Sequence, residues 1–176
     1  MQHIDKYFIK TDPEKLKDNF FKAIGSDWLL ITAGTPEKFN TMTASWGAIG
    51  VFWSKPAAIC FIRPTRYTFD FASRSDVFTL SFFTEKERKI LQYCGSKSGK
   101  DVNKIEFTGL RPLLTENKAI AFEQARLVIE CRKVYYDDLK PDNFLLPNAN
   151  ARIYPNKDYH RMFIGEILGC FMKNEM

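Results

Sequence analysis

Apolar residues in this chain gather into short runs separated by polar or Gly/Pro-containing breaks, a pattern that predicts strands more than long helices. Trp28–Gly34 reads as a buried strand. After a turn at Thr35–Lys38, Phe39–Phe52 reads as one long, bent strand, with Gly47 and Gly50 marking a bulge or a close backbone approach. A turn at Ser54-Lys55-Pro56 leads to strands over Ala57–Ile62, Val77–Phe83, Ala125–Tyr136 and Met162–Met172. Helical signals are fewer. Asp12-Pro13 supplies an N-cap and a first helical residue, Leu16, Phe20, Phe21 and Ile24 form an apolar stripe, and Gly25 ends it. A short helix is predicted over Thr65–Ala72 with Thr65 as cap, and Thr84 with Glu87 forms a capping box opening a helix that Gly95 closes. Residues 1–11 read as an extended lead-in, and 137–158, with Pro141, Pro147 and Pro155, as an irregular excursion. The expectation is a single domain over 1–176: mainly β with added helices (α+β), barrel-like, and not a doubly wound parallel sheet.

Composition adds little until charge and rings are considered. At 45% hydrophobic and 27% charged the chain is ordinary for a globular protein, but it carries sixteen Phe and a net charge of +5. The charge leans toward anionic partners, and the rings suit a crowded core, a stacking pocket or a dimer face. No run of consecutive Lys or Arg marks a nucleic-acid tail. Four cysteines without a C-x-x-C pair, and two histidines, do not make a zinc site; the cysteines are expected to be reduced and buried. The N-terminus lacks the apolar core of a signal peptide and no stretch is long enough to span a membrane, so a cytoplasmic location is expected.

Candidate chemistry clusters in a few places. The run Thr41, Met42, Thr43, Ala44, Ser45, Trp46 offers small hydroxyls and backbone N–H groups, which suit either a flat ligand with ring nitrogens and carbonyls along one edge or a solvated edge strand. Arg63, Pro64, Arg66, Tyr67 and Thr68 place two guanidinium groups beside a helix start; this favours phosphate, against simple surface ion pairs. Gly95 to Lys104, including Ser98 and Gly99, is a Gly- and Lys-rich loop suited to an anion, although it does not satisfy G-x-x-x-x-G-K-[ST]. His160 precedes the last strand and, taken alone, is better explained by structure than by catalysis. No Ser-His-Asp set, paired carboxylates or metal spacing emerges, which is compatible with a redox cofactor that brings its own reactive atoms.

Taken in order, "NTMTASWGAIG" at 40–50, "KPAAICFIRPTRYT" at 55–68, "FTLSFF" at 78–83, "GSKSGKDVNK" at 95–104, "ARLVIECRKVY" at 125–135 and "DYHRMFIGEI" at 158–167 resemble the flavin reductase-like, FMN-binding split-barrel family, in particular its flavoredoxin-related members. The resemblance implies a Greek-key split β-barrel, a homodimer, and non-covalent FMN near the dimer interface. It implies that Thr41–Trp46 line the isoalloxazine edge, that Arg63, Arg66, Tyr67 and Thr68 hold the phosphate side with Ser98, Gly99 and Lys104, and that Ser81, Phe82 and Phe83 flank the ring. His160 would stand where a nicotinamide approaches. Trp46 is bulkier than expected there and would narrow the pocket.

Three functions follow from this reading. The first is an NADH- or NADPH-dependent flavin reductase passing hydride through bound FMN to free flavin or another acceptor. The second is an electron carrier reduced by a partner protein without direct nicotinamide use. The third, from a different class, is a basic, aromatic-rich barrel that binds nucleic acid by stacking and phosphate contacts, with steep salt dependence.

Overall fold

Period-two alternation divides the central strands between two cores. In β3 (Leu29–Gly34), β7 (Val77–Phe82) and β10 (Leu127–Asp138), the side chains of Leu29, Ile31, Phe78, Leu80, Phe82, Leu127 and Ile129 enter one cluster, while Leu30 and Val128 enter a second. Strands buried on both faces need apolar residues at consecutive positions, which is why these segments read as continuous apolar runs. The computed structural model describes residues 1–174 and is mainly β with added helices.

The remaining strands of the main sheet are β2 (Phe8–Thr11), β4 (Phe39–Ala44), β5 (Gly47–Phe52), β6 (Lys55–Ile62) and β11 (Arg161–Lys173). Their order is β4-β3-β7-β10-β11-β6-β5, antiparallel throughout. β2 lies along the far part of β11, with Cys170–Lys173 opposite Thr11–Phe8. The link from β6 to β7 skips β11 and β10, a Greek-key crossing, and the consecutive strands β4 and β5 finish at opposite ends of the path. The sheet is therefore a barrel left open, and Ser45–Trp46 bridges the split. Inside it the first cluster gathers Met42, Ala58, Cys60, Ile62, Phe163 and Cys170, closed by α2 (Thr68–Arg74), which packs on β3 and β4. Outside, the second cluster is covered by α3 (Arg88–Ser96) and a small sheet of β1 (Gln2–His3), β8 (Pro112–Leu114) and β9 (Ile120–Phe122). All four cysteines are free and buried.

Several local expectations change. The helix foreseen from Asp12 is a single 3-10 turn, Pro13–Lys15, capped by Asp12; Leu16 is already extended, and Asn19 caps a separate α1 (Phe20–Gly25). A second good cap within a polar stretch restarts the chain there, and Phe21 is left 95% exposed rather than on a docking stripe. Phe39–Phe52 is two strands. Its glycines mark no bulge, since β5 and β6 pair without a register shift, but Gly47 marks the close backbone approach, a Cβ there standing 2.7 Å from the Ile59 carbonyl oxygen, while Gly50 is in open space. The register shifts lie instead in the β10–β11 pair, beside Gly165, where a Cβ would stand 2.6 Å from Cys131 Cβ and 2.7 Å from Phe78 Cζ. The turn placed at Ser54–Pro56 is the two-residue turn Trp53–Ser54, both at positive φ, and Lys55 and Pro56 already pair with Phe52 and Val51. The helix expected from Thr65 starts at Thr68 after a turn over Arg63–Arg66, with no side-chain cap. α3 ends at Ser96, one residue past Gly95. The polar loop ends in an unforeseen α4 (Lys104–Thr108) capped by Asn103, and the 137–158 excursion contains α5 (Ala149–Ile153).

Candidate functional site

A groove runs along the split, where the β4–β5 bridge, the end of β6 and the start of β11 meet. Its broad part, about 400 Å³, is lined by Met42–Trp46, Phe61, Arg63, Thr65, Arg66 and His160. A narrower extension of about 40 Å³ shares Met42, Thr65 and Arg66 and is walled by Asn40, Tyr67, Thr68, Lys97, Ser98, Gly99 and Lys104. Together they are of the size and mixed polarity of a small-molecule site.

The hydroxyl-rich run is partly turned inward. The Thr41 hydroxyl lies 2.9 Å from that of Thr32 and donates to the Ile31 carbonyl, and Thr43 donates to the Leu91 carbonyl at 2.5 Å. The strand's backbone, the Ser45 hydroxyl and the Trp46 ring are what this wall offers a ligand. At the narrow end the Asn40 amide donates to Thr68 Oγ1 at 2.8 Å, both side chains being buried.

The two arginines are held differently. Arg63 donates to Asp158 Oδ2 at 2.7 Å and to the Ile153 carbonyl at 3.0 Å, and it lies 5.0 Å above the Tyr154 ring. Its charge is compensated. Arg66 donates to the Gly95 carbonyl at 2.6 Å and, among the described residues, has no carboxylate partner. Lys104, 5% exposed, donates to the carbonyls of Thr41 and Cys94, each at 2.8 Å, and also has no carboxylate partner among the described residues. Burial, with the nearby Arg66 charge adding, pushes the Lys104 ammonium down to about 8. Two cations balanced only by carbonyl dipoles thus face the narrow end.

His160 stands at the opposite end. Its Nδ1 is 2.9 Å from the Tyr154 hydroxyl and its ring lies 4.7 Å from that of Trp46. Burial, then the Arg63 charge, lower its pKa to about 4, so the imidazole is neutral near neutral pH.

The structure thus brings Met42–Trp46, Arg63, Arg66, Tyr67, Thr68, Ser98, Gly99, Lys104 and His160 to one groove, with Thr41 contributing its carbonyl to Lys104. Others fall outside it. Ser81, Phe82 and Phe83 do not flank it: β7 is an inner strand, and all three are buried, with Phe82 in the first core and Phe83 in the second. Pro64 is exposed on the turn and does not line the groove. Gly95 faces a separate hollow with Trp28 and Leu91, and only its carbonyl reaches the site, through Arg66. Asn40, Thr65 and Lys97 belong to the groove and were missed, although they adjoin the chosen runs. Tyr154 lay in the excursion with no motif to flag it, and Asp158, although it opens the segment quoted at 158–167, was not singled out.

Gly99 has a steric reason. A Cβ there would stand 2.1 Å from Asn40 Oδ1, 2.9 Å from its Cγ and 3.2 Å from Tyr67 Cδ1. Asn40 cannot swing away without leaving the Thr68 hydroxyl unpaired. Gly99→Ala is therefore expected to cost about 1–3 kcal/mol, read as a melting temperature lowered by roughly 2–4 °C per kcal/mol. An unchanged melting temperature would show that the loop yields freely.

Against known proteins, no protein of curated function matches the sequence. Among solved structures, an FMN-binding protein from Thermus thermophilus with bound p-hydroxybenzaldehyde superposes with a TM-score of 0.68 at 18% identity, covering 94% of this chain and 81% of its own. A flavoredoxin from Methanosarcina acetivorans gives 0.66 at 21% identity, covering 94% and 77%. An NADH:FAD oxidoreductase from Streptomyces globisporus, in complex with NAD and FAD fragments, gives 0.62 at 16% identity, covering 83% and 74%. These likenesses establish the split-barrel fold. The model of the flavin reductase like domain matches residues 21–176, and the chain belongs to that family.

Proposed function

We propose that this protein binds FMN in the groove and, as a homodimer in the cytoplasm, takes hydride from NADH or NADPH for delivery to free flavin or another acceptor. The observation that carries the reading is the pair of cations, half-buried Arg66 and buried Lys104, balanced among the described residues only by carbonyls, at the end where Gly99 leaves room. That donor set fits a phosphate monoester dianion. Ser98 and the backbone around Gly99 add donors, and Tyr67 and Thr68 close the end. The β4 backbone from Met42 to Ala44, with Ser45 of the bridge, orients the ring edge. Bound flavin supplies the hydride-accepting and electron-donating chemistry. His160, neutral and with Nδ1 engaged by Tyr154, has no partner for Nε2 among the described residues and stands at the nicotinamide end. Exposed Trp46 on the bridge, with Val51 and Trp53 on and beside β5, supports a second copy packing near the split. Four buried free thiols suit a reducing compartment.

Titration with FMN, followed by anaerobic addition of each nicotinamide, tests the reading. Saturable binding and bleaching of the flavin absorbance are expected; absence of flavin binding sinks it. The carrier reading has one observation in its favour, Trp46 packed against His160 and narrowing the approach. Its mark would be FMN binding without direct reduction by either nicotinamide.

Lys104 gives the binding a pH dependence. In the free protein it loses its proton near pH 8, and phosphate prefers the charged form. FMN affinity is thus expected to fall as pH rises above about 8, by up to tenfold per pH unit. Lys104→Met would flatten that limb; an equally steep limb in the variant would assign it to another group.

A further inference from the structure

The segment before β11 folds back into a small aromatic cluster that ends on His160. Phe144 stacks on Tyr154 with ring centres 5.6 Å apart, and Tyr159 packs against them at 6.0 and 5.1 Å. Arg63, lying over the Tyr154 ring, donates to the Ile153 carbonyl and to Asp158, so the chain is tied down on either side of Tyr154. The Tyr159 hydroxyl adds a hydrogen bond to Asn150 Oδ1 at 2.9 Å. Tyr154 is 4% exposed, and its hydroxyl, 2.9 Å from His160 Nδ1, has no other hydrogen-bond partner among the described residues.

That pairing decides where the imidazole proton sits. If Nδ1 carried it and donated to the phenol oxygen, the phenol's own proton would be buried with no acceptor among the described residues, a costly arrangement. Burial also raises the Tyr154 pKa, so the phenol keeps its proton. The hydroxyl therefore donates, Nδ1 accepts, and a neutral imidazole carries its proton on Nε2. Trp46 packs on the imidazole at 4.7 Å and Tyr154 meets it edge-on at 5.6 Å, which fixes the plane of that N–H.

We infer that Tyr154 is a positioning residue, holding His160 as the Nε2–H tautomer so that it meets a bound ligand as a hydrogen-bond donor to a carbonyl oxygen and not as a base. The inference rests on the reading of the groove as a flavin site open to a nicotinamide at the His160 end. Both molecules offer such an oxygen, on the flavin ring edge and on the nicotinamide carboxamide. Within the chain, Nε2 has no partner among the described residues, so its N–H is left for them.

Nitrogen-15 NMR tests this directly. The chain has two histidines, and a His3→Gln variant assigns the signals of His160. In the free protein near neutral pH, His160 is expected to carry a proton on Nε2 and none on Nδ1. Tyr154→Phe keeps the stacked ring and removes the hydroxyl. Its ratio of Nδ1–H to Nε2–H form should rise about fivefold, the worth of one neutral hydrogen bond, with the fold retained by circular dichroism. Adding FMN, then NAD+, which has no hydride to give, should move the Nε2 proton to lower field. A move on FMN makes the ring carbonyl the acceptor, and a move on NAD+ alone makes it the carboxamide. A protonated Nδ1 in the parent chain overturns the inference, as does an unchanged tautomer ratio in Tyr154→Phe. So does an Nε2 proton that stays in place with FMN bound and NAD+ saturating. Failure of FMN to bind, read by absorbance, defeats the flavin reading instead, and the tautomer of the free protein still judges Tyr154.

Discussion

Replacing Arg66 with Ala is expected to weaken FMN binding by about a hundredfold, the worth of a two-pronged charge-assisted contact to phosphate. The reason lies in what Arg66 lacks. Arg63 is neutralised by Asp158, but Arg66 has, among the described residues, only the Gly95 carbonyl as acceptor and stays half-buried at the groove. Removing it takes away one of the two cations that offset a dianion there. The Gly95 carbonyl is near enough to the surface to accept from water, so the melting temperature without flavin should change little. Arg66→Lys would restore only part of the affinity, since the ammonium keeps the charge and loses the planar fork. Isothermal titration of the three forms decides the matter. Unchanged FMN affinity in Arg66→Ala, with a lowered melting temperature, would make Arg66 a structural tie between the turn and α3.

Phe82→Ala should act in the opposite sense. The ring is 1% exposed, packs edge-on against Phe20 at 5.9 Å, and sits on the strand shared by both cores. Its loss is expected to cost about 3–5 kcal/mol, a drop in melting temperature of roughly 10 °C in a chain of this size. Protein that remains folded should bind FMN as before. Weaker FMN binding at unchanged stability would return Phe82 to the cofactor site, against its position in the core.

These two residues also mark what the sequence could and could not reveal. Central strands were legible because double-sided burial demands apolar residues, and the run at 40–46 was legible because hydroxyls and small residues break that demand. The strand at 78–83 was visible as a strand, yet its place beside β3 and β10 depends on pairings far away in sequence, so the burial of Phe82 and Phe83 in the two cores was not legible. The same limit hid the partner of Arg63. Asp158 opens the segment quoted at 158–167, but it lies 95 residues from Arg63 and nothing local pairs the two. Short elements escaped for another reason: β8, β9 and α4 span too few residues for a periodic signal to accumulate. At the helix start, Thr65 had the chemistry of a cap, but the turn over Arg63–Arg66 used that part of the chain first.

The open split has a consequence for how this protein can change. Groove residues come from strand ends, a two-residue bridge and turns, while the two cores share β3, β7 and β10 in the middle of the sheet. Substitutions that retune ligand preference therefore fall mostly where few packing contacts depend on them, and those that threaten folding fall elsewhere. Arg66, Lys97 and Ser98 could be varied in a library with most members still folding. Selectivity in such a scaffold is cheap to explore, while Met42, which lines the groove and packs in the first core, binds the two kinds of change together, as do Gly99 and Lys104.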